Sequence, residues 1–439
     1  MGASLWPPEL SGTNPITGTA KETAVLQSLL GLMTLLAIAM LASERRGLIP
    51  WRMVVGGLGL QIAIAALMLK APFLRGVFLG LNALVNAMDE ATRAGTAFVF
   101  GYVGGGPAPF AATDPGASFI LGFQALPLVI VIAALTALLY YWNILPRVVR
   151  AFSVVLEKTM GIGGVLGVGA GGCIFLGMVE SPLLIRPYMI RMTRSEMFAM
   201  MATGMSCIAG TMLMLYATVL KAVIPDAVGH ILTASVIHAP AALLVAALML
   251  PETDSPTLGR TLPKSPAAGA MDAVVTGTAD GLRLFWSIVA SLLVFVALVK
   301  LANILLGVLP DVGGAPVTLE RTLGLVMAPV AWLLGVPWAE AATAGSLLGT
   351  KIVLNEFIAF IDMAKLPAEA LSAHARLILT YAMCSFANFG SVGILLAGMS
   401  SLCPERKTEI TALGGKALLA GVLASMMTGT VVGILTSLP

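Results

Sequence analysis

Charge is what this sequence has least of. Only 11% of its 439 residues are Asp, Glu, Lys or Arg, where soluble domains carry roughly 25%. A water-facing surface needs more than that, so a soluble globular chain is excluded. Basic runs interleaved with aromatics are missing, and a net charge of +3 is small for this length; nucleic acid is not the partner. Four cysteines without a CxxC pair build neither a disulfide framework nor a zinc ribbon. Three separated histidines leave no metal cluster, and no nucleophile–base pair is visible. The sequence therefore calls for no cofactor, no metal and no enzyme. What it has in abundance is apolar surface: 58% hydrophobic residues and a mean hydropathy of +0.96. The chain reads as an all-α polytopic membrane protein with the lipid bilayer as its solvent.

A helix needs roughly 17–25 apolar residues to cross a bilayer. Uncharged runs of that kind cover 24–43, 115–145, 197–220, 227–250, 377–404 and 417–439, with a shorter one at 53–69 and one at 284–309 interrupted by Lys300. That makes about eight crossings. The tail 1–22 lacks the basic-then-apolar start of a signal peptide, so the first span is expected to stay as an anchor. Arg45, Arg46 and Arg52 follow that span, against Lys21 alone before it. The positive-inside rule puts this loop in the cytoplasm and the N-terminus outside. Residues 73–104, with Arg75, Asp89, Glu90 and Arg93, read as an interfacial helix, and 271–283 reads alike. Residues 251–268, with four prolines, read as a linker between two halves or as an ordinary loop.

Two segments are interrupted. The first has eight glycines from Gly161 to Gly177, then Met178-Val179-Glu180-Ser181-Pro182. The glycines discourage a straight helix and Pro182 lacks an amide donor, which predicts a break. The second has Pro329, Pro337 and Gly345, then Gly349-Thr350-Lys351-Ile352-Val353-Leu354-Asn355-Glu356-Phe357. Broken backbone at membrane depth must be buried in protein or line a cavity, and paired broken segments in two halves point to a transporter binding site. Each is followed by a long span and a further span, an order compatible with an inverted repeat. Each also carries a lone glutamate, and a charge at the bilayer centre costs about 2.5–3.5 kcal/mol on insertion scales. Glu180 and Glu356 are thus functional candidates. The plainer alternative pairs Glu180 with Arg186 and Glu356 with Lys351, merely holding helix ends. Asn388 is a polar side chain in an uncharged run, where an interhelical hydrogen bond of about 1 kcal/mol is the plainer alternative. The twenty-four methionines read as packing filler.

Gly349-Thr350-Lys351 with Asn355-Glu356-Phe357-Ile358-Ala359, Phe386-Ala387-Asn388, and Glu180-Ser181-Pro182-Leu183-Leu184-Ile185-Arg186-Pro187-Tyr188 resemble the signatures of the concentrative nucleoside transporter family. Ala328-Pro329-Val330-Ala331-Trp332, Gly335-Val336-Pro337-Trp338 and Pro404-Glu405-Arg406-Lys407 add to the match, which is strong from about 146 to 439 and loose before. The resemblance implies a homotrimer in the inner membrane. Each protomer would have eight spanning helices, two re-entrant hairpins in an inverted repeat, and interfacial helices. A transport domain would move like an elevator and import a nucleoside with a cation gradient. It divides the chain into a tail (1–22), scaffold-type spans with an interfacial helix (23–145), a base and cation side (146–250), a linker with an interfacial helix and scaffold span (251–320), and a ribose side (321–439).

By the same resemblance, Glu356, Asn388 and Ser391 would meet sugar hydroxyls, as acceptors and donors suited to a diol, and Phe386 would pack on the base. Glu180, Met178, Val179 and Met212 fall on the base side. There the family's hydrogen-bonding Gln-Thr pair is replaced by Met178 and Val179, so the base would be selected by shape rather than by polar contacts. The family's sodium lies between the first hairpin and the next span, on an asparagine, a hydroxyl and carbonyls. The matching positions are Cys173, Cys207, Leu176 and Ile208. A thiol is a poor ligand for a hard cation, which implies loss of the sodium site and replacement by a proton. Desolvation disfavours the charged form of a buried carboxyl, making Glu356 first and Glu180 second the proton-carrying candidates. Small buried hydrophobes are the plainer reading of the cysteines. Two other functions fit the same residues: a carrier of another ribose-like solute, or a membrane receptor that binds a nucleoside without moving it.

Overall fold

The computed structural model describes residues 18–110, 119–221, 223–257, 259, 265–312 and 314–438. Most of the expected tail 1–22, the start of the run 115–145 and part of the linker 251–268, Pro263 included, lie outside the described residues.

The described chain is helical. Helices α1 (Gly18–Leu41) and α2 (Trp51–Lys70) are followed by α3 (Pro72–Phe100), and the short α4 (Leu121–Gln124) leads into α5 (Leu128–Tyr141). Next come α6 (Ile144–Met160), α7 (Gly164–Cys173), α8 (Glu180–Ile185), α9 (Arg194–Ser206), α10 (Gly210–Leu220) and α11 (Ala227–Met249). The second half holds α12 (Ala270–Leu306), α13 (Leu319–Leu333), α14 (Trp338–Val353), α15 (Glu356–Lys365), α16 (Ala373–Met383), α17 (Phe389–Leu402) and α18 (Lys407–Ser437). Among the described residues seven helical stretches are long and apolar enough to span a membrane, and α13 with α14 forms a pair bent by 116° that brings the number to eight. This is the expected all-α multi-pass architecture.

One order of elements occurs twice. A span, an amphipathic helix, a hairpin, a broken span and a closing span run as α5, α6, α7–α8, α9/α10, α11, and again as α12, α13, α14–α15, α16/α17, α18. The halves interlock, with α5 against α12 and α11 against α18. Helices α1 and α2 pack on α18 and α11. The α5–α12 seam depends on small residues: a Cβ on Gly281 would stand 2.7 Å from the Ile130 backbone.

Four sequence expectations change. Residues 271–283 are not a separate interfacial helix, because α12 runs unbroken for 37 residues, about 55 Å at 1.5 Å per residue. The glycines of the first broken segment divide in role: Gly161 ends α6 in the left-handed region and Gly163 precedes α7, so the chain does break there, whereas the five glycines within α7 do not interrupt the helix. All ten residues of α7 are helical and buried, and the glycines admit neighbouring backbone and side chains: a Cβ on Gly171 would lie 3.0 Å from Val149 O, and one on Gly169 2.5 Å from Met200 Sδ. The helix stops at Cys173, and Pro182 sits in the first turn of α8, where a missing amide costs nothing. Finally, neither long span is continuous. The run 197–220 breaks at Cys207–Ile208–Ala209 between α9 and α10, and 377–404 breaks between Met383 and Phe389.

Polar caps set where several of these helices begin. Thr193 and Glu196 form a reciprocal capping box on α9, Ser372 caps α16, Asn355 caps α15 and Asn388 caps α17. At the α1–α2 loop, Glu44 takes Arg194 in a bidentate pair at 2.6 and 3.0 Å and Lys416 at 2.5 Å, tying α9 and α18 together. Partial burial pushes the Glu44 carboxyl up, but the hydrogen bonds and charges of Lys416 and Arg194 outweigh it and hold it below the ordinary 4.5. A depressed carboxylate stabilises above its unfolded value and loses that contribution as pH falls through the folded one. Glu44→Gln is therefore expected to lower the melting temperature in detergent slightly at pH 7, by no more than about 1 kcal/mol of stability. The difference from wild type should close below about pH 4 and shrink in high salt. Melting curves at pH 7 and pH 3.5 check it.

Candidate functional site

The site begins with Asn355. Helix α14 ends at Val353, Leu354 turns the chain, and the Asn355 side chain accepts from Ile358 N at 2.9 Å to start α15. That makes Glu356 the first residue of a helix, where the dipole favours a carboxylate. A second cap completes the pair. Asn388 Oδ1 accepts from Ser391 N at 2.8 Å at the start of α17, and its Nδ2 donates to Glu356 Oε2 at 3.0 Å. A third group comes from the other half of the chain: Tyr216 of α10 donates its hydroxyl to Glu356 Oε1 at 2.5 Å. Glu356, Asn388 and Tyr216 are 4%, 2% and 0% exposed. An isolated buried carboxylate would be prohibitive, and here each oxygen has one donor.

The structure thus brings together Glu356, Asn388 and Ser391, the three residues expected on the sugar side. Phe386 stands two residues before Asn388, half-buried, with its carbonyl accepting from Asn388 N at 2.8 Å. Met212 lies on α10 one turn before Tyr216 and is buried. The proposed pairing of Glu356 with Lys351 does not form. Lys351 ends α14, is 2% exposed and interacts with Glu356 only at longer range, without an ion pair. The helix stop at Val353 separates the two residues onto different arms of the hairpin. Near Lys351 lies His238 of α11, fully buried, with neither ring nitrogen in a well-formed hydrogen bond among the described residues.

Glu180 is not part of this cluster. It opens α8 at the tip of the first hairpin and is exposed, its carboxylate folded over Gly177, where a Cβ would stand 2.1 Å from Oε2. No ion pair joins it to Arg186, so that alternative also fails. Met178 is 7% exposed and packs beneath Gly204 of α9, while half-buried Val179 packs on Gly398 of α17. Both residues expected on the base side are thus apolar side chains packed against neighbouring helices.

The cation-side positions do converge. Cys173 and Cys207 are 1% and 2% exposed. The first hairpin tip docks into the α9/α10 break through Gly210 N, which donates to Phe175 O at 2.9 Å, and through Ser235 of α11, whose hydroxyl donates to Ile174 O at 2.8 Å. The Cys207 thiol points at Ser235 O, 3.8 Å away. Leu176 O and Ile208 O accept no hydrogen bond from the described residues. The Ser181 hydroxyl, fully buried beside Cys173, also has no well-formed partner among them. Among the described residues no group of three His, Cys, Asp or Glu is placed to hold a metal ion.

Sequence reasoning missed Tyr216 and both helix breaks. Tyr216 carries no sequence marker, being one aromatic in an apolar run. The second break had one: Asn388 three residues before Ser391 is an N-cap spacing. The first had none, since Cys207–Ala209 contains neither proline nor glycine.

Three family models match the chain: "Na+ dependent nucleoside transporter C-terminus" over residues 230–433, "Na+ dependent nucleoside transporter N-terminus" over 30–103, and "Nucleoside recognition" over 122–223. The chain is 37% identical to the uncharacterized transporter YutK of Bacillus subtilis, covering 93% of this chain and 99% of that protein. It is 33% identical to the nucleoside permease NupC of Helicobacter pylori, covering 94% and 98%. Human solute carrier family 28 member 3 is 31% identical over 93% of this chain and 60% of its own length. Among solved structures, CNTnw in an inward-facing substrate-bound state superposes with a TM-score of 0.87 at 34% identity, covering 94% of this chain and 98% of that one. A doubly substituted CNTnw in an outward-facing state gives 0.88 at 33%, covering 95% and 99%.

Asn388→Ala removes both the α17 cap and one donor to Glu356. It should cost about 1–2 kcal/mol of stability for the cap alone, seen as a lower melting temperature in detergent, and a larger loss of ligand affinity by calorimetry.

Proposed function

This chain belongs to the concentrative nucleoside transporter family, and we propose on that premise that it is a proton-coupled nucleoside symporter. Cation-coupled nucleoside transport is the family's activity, and the chain is a multi-pass membrane protein. The finer reading is import across the inner membrane by an elevator movement of a transport domain within a homotrimer, with the Arg45–Arg46 loop cytoplasmic. The observation that carries the substrate assignment is the buried Glu356 carboxylate. A carboxylate offers about four acceptor positions. Tyr216 and Asn388 occupy one on each oxygen, leaving one on each for the two hydroxyls of a ribose. Asn388 and Ser391 add an amide and a hydroxyl from the start of α17.

Base selection on this reading is by shape. Met178 and Val179 offer no hydrogen bond to a base edge, and Met212 with Phe386 completes an apolar wall. A pocket of that kind discriminates weakly between isosteres, which favours a broad nucleoside range.

Proton coupling rests on the thiols. Cys173 and Cys207, the residues that the resemblance matches to sodium ligands, are deeply buried, and the Cys207 thiol is turned to the Ser235 carbonyl. Glu356 is then the group that carries the proton, with exposed Glu180 the second candidate. One observation favours a sodium-coupled alternative: Ser181 Oγ beside Cys173 has no well-formed partner, and Leu176 O and Ile208 O accept no hydrogen bond from the described residues; oxygens are the hard ligands that sodium takes.

Uptake of radiolabelled uridine and adenosine into proteoliposomes, driven separately by proton and sodium gradients, decides between these. Accumulation on a proton gradient alone supports the main reading, and accumulation on sodium alone supports the alternative. Absence of uptake under both redirects the assignment to another ribose-like solute, or, if uridine still binds, to a receptor. Cys173→Asn with Cys207→Ser should restore sodium dependence to a proton-driven wild type, read as stimulation by sodium at fixed pH. Glu356→Gln should lower uptake about a hundredfold, the worth of two hydrogen bonds to a charged acceptor, while membrane insertion measured by fractionation stays normal.

A further inference from the structure

Tyr216 belongs to none of the positions that the family resemblance assigns to substrate or cation. It sits on α10, in the half of the chain that carries the base and cation side, and its hydroxyl reaches across to the sugar-side glutamate at 2.5 Å. The side chain is fully buried. Its ring stacks on Phe357 at 6.0 Å and 27° and tilts against Phe360 at 5.2 Å, both on α15. Phe357 follows Glu356 directly and Phe360 lies one turn on, so the two rings hold the phenol over the first turn of the helix that Glu356 opens. The hydroxyl cannot swing away without unpacking an aromatic cluster.

A carboxylate held by Asn388 alone would keep one oxygen fixed and turn its plane about that contact. With Tyr216 on Oε1 and Asn388 on Oε2, both oxygens are pinned. One acceptor position per oxygen remains, as many as a pair of vicinal hydroxyls requires.

We propose that Tyr216 is a positioning residue: it fixes the plane of the Glu356 carboxylate so that both oxygens read a cis-diol, and so sets the preference for ribonucleosides over deoxynucleosides. The proposal rests on the reading of Glu356 as the sugar acceptor. It also makes sugar recognition depend on α10, which begins at the break after Cys207 and carries Met212 one turn ahead of Tyr216. Movement of α10 at the cation-side break therefore reaches the sugar site through one hydroxyl.

The test compares uridine, 2′-deoxyuridine and 3′-deoxyuridine as substrates of reconstituted wild type, Tyr216→Phe and Phe360→Leu. Tyr216→Phe keeps the ring packing and removes only the hydroxyl. It should raise the KM for uridine about tenfold, the worth of one hydrogen bond to a charged group, with the maximal rate nearly unchanged and the KM for both deoxynucleosides within about twofold. The preference for the diol then collapses. An equal rise for all three substrates would assign Tyr216 to packing alone and overturn the proposal, as would an unchanged uridine KM. Should Tyr216→Phe fail to fold, Phe360→Leu carries the test, because it loosens the clamp and retains the hydroxyl. A selective two- to threefold loss for uridine is expected there, and an unchanged substrate ratio would sink the idea. Wild type that takes up uridine without preferring it over the deoxynucleosides overturns the diol reading itself, whereas wild type that takes up none of the three removes the nucleoside assignment on which the proposal stands.

Discussion

A carboxylate buried among apolar helices has to be met by donors, and the centre of this protein is organised around meeting that need at Glu356. One donor comes from Tyr216 in the first half and one from Asn388 in the second. Neither is available from a bundle of straight helices. Asn388 reaches Glu356 because α16 stops at Met383 and lets Asn388 cap α17. Glu356 faces both because α14 stops at Val353 and Asn355 starts a new helix there. Breaking helices at membrane depth is itself costly, so the geometry lasts only where the freed backbone groups find partners inside the protein.

The first half follows the same rule with different groups. The break after Ser206 leaves the amide of Gly210 without an intrahelical acceptor, and Phe175 O at the hairpin tip takes it. Ile174 O is in turn satisfied by Ser235 of α11. One turn further along α11 stands His238, within electrostatic reach of Lys351 at the other hairpin. A single span thus presents polar groups to both hairpins. The pairing of Tyr216 with Glu356 joins the halves a second time, directly through the site.

The glycine-rich segment shows how a correct expectation can rest in part on the wrong cause. Eight glycines and Pro182 predict a break, and the chain is broken there. Yet only Gly161 and Gly163 mark a break, five of the other glycines lie inside a regular helix and serve close packing, and the proline occupies a first turn that does not need its amide. The lone glutamates were legible as exceptional residues in apolar surroundings, but their partners were not. Lys351 and Arg186 are the charges nearest in sequence, and neither forms an ion pair with them. The actual partners of Glu356 are 140 and 32 residues away along the chain.

By itself the sequence determined the membrane class, the number and approximate limits of the spans, and the two interrupted segments, because apolar length and helix punctuation are local properties that the bilayer reads residue by residue. The grouping of Glu356, Asn388 and Ser391 was legible through resemblance, since these residues lie in short contiguous motifs. Tertiary structure alone decided where the first long span breaks, which glutamate is buried and which is exposed, and that Tyr216 joins Glu356. The physical reason is that a helix breaks at Cys207 only if another segment accepts its freed amide. Likewise, a tyrosine in an apolar helix becomes a donor to Glu356 only when packing of α10 against α15 brings their side chains into contact.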